Sequence, residues 1–348
     1  MKILFLTRYD SKGASSRYRF LQYIPYLKAA GFECIVSPLF DNKYLNNLYS
    51  CKQNNFINLF IYIIRRLSVL VTTNKFDFVV LEKEVIPFAP AFLEQFLNLM
   101  RVPYIVDYDD AIFHQYDCHT NLIVRTILRK KIAVVMRNAR LVIAGNNYIA
   151  KYAQQAGAKQ VEIIPTVIDI TKYSLRESKK NDVFKIVWIG SPSTYQHVEA
   201  ILPALAKICN SKLLLIGAGK REFNESWIEV RSWSEVSEIK DIQSADVGIM
   251  PLPDTAWARG KCGFKLIQYM ACGLPVVASP VGVNAEIVEH GKNGFLASSI
   301  EDWVSSLKKL YNNKSLRTSM GKCGRKKVED HYCLQVTAPR IVELFYDG

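Results

Sequence analysis

The stretch "DVGIMPLPDTAWARGKCGFKLIQYMACGLPVVAS", Asp246 to Ser279, reads as strand, loop, helix and strand in turn. "DVGIM" and "LPVVAS" are short apolar runs of the kind that fill a parallel sheet buried on both faces. Between them Leu266, Tyr269 and Met270 share one helical face, and Gly273 stops the helix. The N–H groups of its first turn then fall near Gly263, Phe264 and Lys265, where the helix dipole and a small residue suit a phosphate. Arg259, Lys261 and Lys265 add charge-assisted bonds to a diphosphate, and the amide of Gln268, a turn further on, suits a sugar hydroxyl. The same residues also fit a loop whose cations simply face solvent. No GxxxxGK[ST] is present, so this is not a P-loop.

Outward from this stretch, apolar runs alternate with helical patterns along the whole chain. One series comprises "KILFLT" (2–7), "ECIV" (33–36), "FDFVVL" (76–81), "PYIVD" (103–107), "RLVIAG" (140–145) and "VEIIP" (161–165). A second comprises "FKIVWIG" (184–190), "KLLLIG" (212–217), "DVGIM" and "LPVVAS", and the polar segment 170–182 reads as the linker between the two. The economical reading is an α/β protein of two doubly wound, Rossmann-like domains, 1–170 and 171–335, facing each other across a cleft. Ligands of such sheets bind beyond the carboxyl ends of the strands, which is where the opening loop lies.

The 348 residues carry a formal charge of +13, with 21 Lys and Arg against 13 Asp and Glu in the first 170. Such a balance suits nucleic acid, anionic lipid or phosphorylated small molecules. No recognition helix, zinc finger or RNA platform accompanies it, so nucleic acid is excluded as a partner. The eight cysteines form no CxxC pair, Cys118–His119 alone makes no metal site, and no signal peptide precedes "MKILFLT". A cytoplasmic protein with free thiols is expected. The basic stretch 121–140, with Arg125, Arg129, Lys130, Lys131, Arg137 and Arg140, reads either as a buried helix with a solvated edge or as a docking face. Together with "FINLFIYIIRRLSVL" (56–70) it would place the first domain peripherally on an anionic membrane, the inner face of the plasma membrane.

Pro251 to Ala297, the preceding "SADVGIMPLP" and the N-terminal "GASSRYRFLQYIPYLKAAGFE" together resemble retaining glycosyltransferase family 4, which has the GT-B fold. The resemblance implies a nucleotide sugar lying across the loop, its diphosphate at the helix start. It also implies two glutamates, eight positions apart, that hold the sugar and the ribose. Here those positions are Gly260 and Gln268, and Ser191 and Gln196 stand where the family places an Arg and a Lys. The chain thus resembles a branch with a "GKCGFK"-type loop, in which Arg259, Lys261 and Lys265 take over charge neutralisation.

The same resemblance makes Gly13 and Ser15 a small-residue loop beside the donor phosphates and puts Trp233 where the base is held, either stacked on it or in the core. It also implies that the final helix, 336–348, packs back on the first domain. Arg17 and Arg19 are expected either at phosphate or acceptor, or in packing and solvent. Glu82 and Glu84 are expected either at acceptor hydroxyls or in a solvated loop. Asp107-Tyr-Asp109 matches the DxD of metal-dependent GT-A enzymes, a three-residue pattern of low specificity. Asp109 or Asp110 either orients and deprotonates an acceptor hydroxyl or caps a helix. "IGAGKRE" (216–222) lacks the third glycine of a dinucleotide fingerprint, which removes a nicotinamide-dependent dehydrogenase from consideration.

The activity implied is metal-independent sugar transfer from a nucleotide diphosphate sugar to a hydroxyl of a glycan or lipid-linked acceptor. It would proceed with retention and without a separate cofactor, in bacterial-type cell-surface polysaccharide synthesis. The alternative is a non-catalytic GT-B-like subunit that binds a glycan or a protein partner, motivated by the missing glutamate pair.

Overall fold

The computed structural model describes residues 1–49, 55–175 and 183–347. It forms two compact units. One consists of Met1–Val167, Arg259–Cys262 and Thr337–Gly348, the other of Ile168–Ala258 and Gly263–Val336. Residues 176–182 of the expected linker lie outside the described residues.

In the first unit six strands form one parallel sheet in the order β2-β1-β3-β4-β5-β6. They are β1 (Lys2–Leu6), β2 (Glu33–Val36), β3 (Phe78–Glu82), β4 (Tyr104–Tyr108), β5 (Leu141–Ala144) and β6 (Val161–Ile163). Every residue of β3, β4 and β5 is buried, as central strands covered by helices on both faces require. The edge strand β2 instead alternates, with Glu33 and Ile35 exposed. One face packs Leu4, Val79 and Val106 against Leu97, Val135 and Ile149 of the covering helices. On the other, Phe345 of the last helix (Leu334–Asp347) meets Phe5 and Phe78 with ring centroids 6.3 and 5.5 Å away. The register sets Glu82 beside Asp107, so the carboxyl ends of β3 and β4 bring two acids side by side.

The second unit repeats the plan in the order β12-β11-β10-β7-β8-β9, again all parallel. Its strands are β7 (Phe184–Ile189), β8 (Ser211–Ile216), β9 (Ile228–Arg231), β10 (Val247–Met250), β11 (Val276–Ala278) and β12 (Gly294–Leu296). The two edge strands, β9 and β12, are the ones the hydrophobic pattern does not announce. β9 is half-buried along its length, and β12 has three residues. Gly273, at φ +77°, ends the helix Phe264–Ala271 as expected. Its carbonyl lies so close to Gly321 of the helix Lys314–His331 that a Cβ there would sit 2.0 Å away. Among the described residues no helix is long and apolar enough to cross a membrane.

Candidate functional site

In the second unit the helix Phe264–Ala271 starts where the sequence places it. Gly263 caps it at φ +67° and ψ 15°, a left-handed conformation that other residues adopt at a cost. Space imposes the same choice, since a Cβ on Gly263 would lie 2.4 Å from Ile287 Cδ1. The first turn of a helix has N–H groups with no partner inside it, and here the turn begins on a residue without a side chain. Lys265 adds a cation one residue in, its Nζ 5.7 Å from the Trp188 ring. Tyr269 accepts the Ile189 N–H at 2.9 Å through its hydroxyl, which fixes the helix against the end of β7. The loop after β7 follows at once. Ser191 begins a short turn, its Oγ 2.9 Å from Ser193 Oγ. Gly217, at the end of β8, presses on this loop so closely that a Cβ would stand 2.4 Å from the Gly190 carbonyl oxygen. Nearby Asn284 is fully buried and donates to the Ser279 carbonyl, while its Oδ1 has no hydrogen-bond partner among the described residues.

Gln268 does not face an open site. It is buried, and its Nε2 donates to Glu238 Oε1 at 2.8 Å and to the Tyr173 hydroxyl at 3.3 Å. Trp233 Nε1 donates to the other oxygen of Glu238 at 2.5 Å. The amide nitrogen expected at a ribose is thus hydrogen-bonded within the second unit. This arrangement also gives the glutamine a reason. A carboxylate at 268 would meet the buried Glu238 carboxylate at hydrogen-bond distance, and two such groups cannot both stay ionised. Trp233 is likewise half-buried and held edge-first by Glu238, packed on the second unit's core.

The loop before the helix, Arg259–Cys262, packs with the first unit. Asn146, which caps the helix Asn147–Gln155, donates its Nδ2 to the carbonyls of Gly260 (3.0 Å) and Lys261 (3.2 Å). A Cβ on Gly260 would lie 2.2 Å from Ala111 Cβ and 3.0 Å from its backbone nitrogen. No side chain fits there while the loop keeps this path, which accounts for the absence of the first glutamate. Lys261 Nζ lies 3.6 Å from Asp110 Oδ1, so its charge is shared with a carboxylate rather than held for a diphosphate alone. Arg259 is exposed at the end of the short helix Ala256–Arg259.

Most acids and cations expected at an acceptor are instead tied to one another at the carboxyl ends of β1, β3 and β4. Arg19 is buried and holds Asp107 through two bonds of 2.9 and 2.6 Å, with a third to the Ile164 carbonyl. Burial pushes the Asp107 carboxyl up to about 6 against the pull of Arg19. Asp109 is buried as well, with Lys83 Nζ at 2.8 Å and the Ser15 hydroxyl donating at 2.6 Å. Burial alone would raise its pKa, but Lys83 and Ser15 outweigh that and hold it below the usual carboxylate range. An acid so held is a poor proton acceptor. The DxD pair is thus divided, each acid spent on its own cation. Asp110 remains half-buried beside Lys261.

Glu82 accepts the Ser16 hydroxyl at 2.6 Å and the Arg8 N–H at 2.7 Å, and Glu84 pairs with Lys131 at 2.5 Å while accepting the Tyr116 hydroxyl at 2.7 Å. Neither lies in a solvated loop or faces an acceptor: both are buried. Arg17 stacks its guanidinium 4.8 Å from the Tyr18 ring, at the edge of the same region. Gly13 caps the helix Ala14–Arg19 where a Cβ would stand 2.4 Å from Tyr9 Cβ. Sequence reasoning missed Glu238, Lys83 and Asn146. Only Asn146 left a signal, an asparagine directly before a helical pattern. Elsewhere in the first unit, His114, Asp117 and Cys118 bring donor atoms within 4.8 Å of one another, already joined by a 2.9 Å bond from His114 Nδ1 to Asp117.

Residues 183–313 match the model of a family described as "Glycosyl transferases group 1". The D-inositol 3-phosphate glycosyltransferase of Pseudarthrobacter chlorophenolicus is 23% identical over 220 residues, covering 53% of this chain and 50% of that one. The N-acetyl-alpha-D-glucosaminyl L-malate synthase of Bacillus anthracis is 24% identical over 189 residues, covering 51% and 48%. The chain spans about half the length of the curated relatives it matches. Among solved structures, Anabaena HepE in complex with UDP and glucose superposes with a TM-score of 0.75 at 18% identity, over 100% of both chains. WaaG, a glycosyltransferase involved in lipopolysaccharide biosynthesis, superposes with 0.69 at 16%, again over 100% of both. The fold is GT-B, with two Rossmann-like units each built on a six-stranded parallel sheet.

Proposed function

We propose that the chain is a glycosyltransferase that takes a sugar from a nucleotide diphosphate sugar and passes it, with retention, to a hydroxyl of a glycan or lipid-linked acceptor. The cell-surface polysaccharides of bacteria are the product class we assign. The observation that carries this reading is the start of the Phe264–Ala271 helix, with its left-handed Gly263 and adjoining Lys265. The match over residues 183–313 covers that same element. As the sugar leaves, the nucleoside diphosphate gains negative charge. N–H groups fixed in a helix start need no reorganisation to meet it, and Lys265 adds a point charge beside them. The Ser191 hydroxyl supplies a neutral donor from the loop after β7. In this reading Gln268 positions Trp233 and Tyr173 through Glu238 and does not touch the ribose by its amide nitrogen.

Transfer needs no divalent metal in this proposal, since both acids of the DxD pattern are bound to cations of the protein itself. A panel of UDP-, GDP-, CMP- and dTDP-sugars read by thermal shift tests donor binding, and transfer to acceptor glycans with NMR of the new linkage tests retention. If no nucleotide sugar binds, the enzyme reading falls. A second reading, a GT-B-like subunit that binds glycan or partner without turnover, is favoured by the loss of both glutamates at Gly260 and Gln268. Donor binding without transfer or hydrolysis would establish it.

A further inference from the structure

The helix Phe56–Leu70 is turned inside out relative to an ordinary surface helix. Its buried positions include Tyr62, whose hydroxyl donates to Asp41 at 2.7 Å, and Arg66, whose Nη2 donates to the Thr7 carbonyl at 2.6 Å. Its outward face is apolar. Phe56 is 87% exposed, Ile57 65%, Phe60 63% and Ile61 53%, and Ile64, Leu67 and Val71 continue the stripe. At about 100° per residue these seven side chains fall within an arc of roughly 140°, opposite Tyr62, Arg66 and Leu70. An apolar face of this length, left uncovered among the described residues, marks a contact surface.

We propose that this face lies on a lipid bilayer that carries anionic headgroups. Charge selects that occupant. Residues 42–75 contain Lys43, Lys52, Arg65 and Lys75 besides the buried Arg66, and no Asp or Glu. Residues 121–140 likewise hold no acid, and of their six Lys and Arg only Lys131 is buried, paired with Glu84. There the helix Leu122–Leu128 exposes Leu122, Ile123 and Ile127 beside exposed Arg125 and Arg129. Leu70 and Leu128 join one core cluster, so both helices cover the same face of the first unit's sheet. Apolar side chains flanked by cations suit insertion among acyl chains with the charges at the headgroups. A symmetric second copy would instead bring like charges together. Fifteen residues of helix reach about 22 Å, short of the roughly 30 Å hydrocarbon layer, so the helix lies in the interface and does not span it.

This inference does not depend on the proposed activity, and its test uses no donor. The chain is floated with vesicles of phosphatidylcholine alone and with vesicles in which phosphatidylglycerol makes up a third of the lipid. We expect flotation with the anionic vesicles, weakened by salt. The double variant Phe60→Glu/Ile64→Glu should lower partitioning roughly tenfold or more, and Arg125→Glu/Arg129→Glu should remove the preference for anionic lipid. All four positions are exposed, so unchanged melting curves and unchanged nucleotide binding are expected in both variants. A wild type that does not float, or a Phe60→Glu/Ile64→Glu variant that floats as well as the wild type, overturns the proposal. So does light scattering that shows a dimer which this variant dissociates while flotation is unaffected.

Discussion

Replacing Gln268 by glutamate restores the acid implied by the family resemblance, and the structure assigns that change a calculable cost. The Gln268 amide nitrogen lies 2.8 Å from Glu238 Oε1, so the new carboxyl would face a carboxylate at about that distance. Two unit charges 2.8 Å apart repel by roughly 6 kcal/mol at an effective dielectric of about 20. Taking up a proton is cheaper. Holding a carboxyl protonated at pH 7, against an unfolded value of about 4.3, costs about 1.36 kcal/mol per pH unit, roughly 3.7 kcal/mol in all. The protonated form can donate to Glu238 and so keep the hydrogen bond. The sign follows from linkage: the folded variant binds a proton that the unfolded chain has released. Its stability therefore falls as pH rises from about 4.3 and levels off above the raised folded value. For a unit of this size the loss lowers the melting temperature by roughly 7–15 °C at neutral pH. Calorimetric melts of wild type and Gln268→Glu from about pH 4 to about pH 8 read it directly. Gln268→Leu serves as the control: it loses only the amide donor, about 1.5–3 kcal/mol, and adds no second carboxylate, so its deficit should vary with pH less than that of Gln268→Glu. A Gln268→Glu variant as stable as the wild type at pH 7, or a deficit that ignores pH, refutes the account of why this position is a glutamine.

Gly260→Ala forces a methyl against Ala111 and should lower stability by about 1–3 kcal/mol in a denaturant titration, and a larger residue should lower it further. Lys265→Ala should weaken nucleoside diphosphate binding about tenfold by calorimetric titration while leaving the melting curve in place, and unchanged affinity would remove Lys265 from the anion site. Lys83→Met leaves Asp109 buried without its cation and should cost roughly 3–5 kcal/mol near neutral pH. That deficit should shrink as pH falls, because the stranded carboxyl takes up a proton that the ion pair resists. Sugar transfer should survive EDTA, and its loss on chelation with recovery in Mn²⁺ would return the acids at 107 and 109 to a metal.

The architecture was legible because the central strands of a parallel sheet are short, uniformly apolar runs, and "FDFVVL", "PYIVD" and "DVGIM" could hardly be anything else. Their ends shifted by a residue or two, and the edge strands β9 and β12 escaped because a half-buried or three-residue strand leaves no period to detect. The start of the Phe264–Ala271 helix was legible for a local reason, a glycine followed by an apolar face. What the sequence hid was tertiary. Nothing in "SEVSEIKD" distinguishes Glu238 from a solvated helix charge, yet it anchors Gln268 from 30 positions away. The "EKE" at 82–84 reads as a wet loop, but parallel strands end together, and their charged tips bury one another. Gly260 reads as a lost glutamate until Ala111 is seen beneath it.

The paired charges at the strand ends of the first unit carry an evolutionary consequence. Arg19 with Asp107, Lys83 with Asp109 and Lys131 with Glu84 are each buried, so loss of one member strands the other in a medium that does not tolerate it. Drift at one position is then blocked unless its partner drifts with it, and these three couples should be inherited as units. Among diverging descendants of this chain, each pair should be kept whole or replaced whole by neutral residues, leaving a signature of joint change that spans 88, 26 and 47 positions.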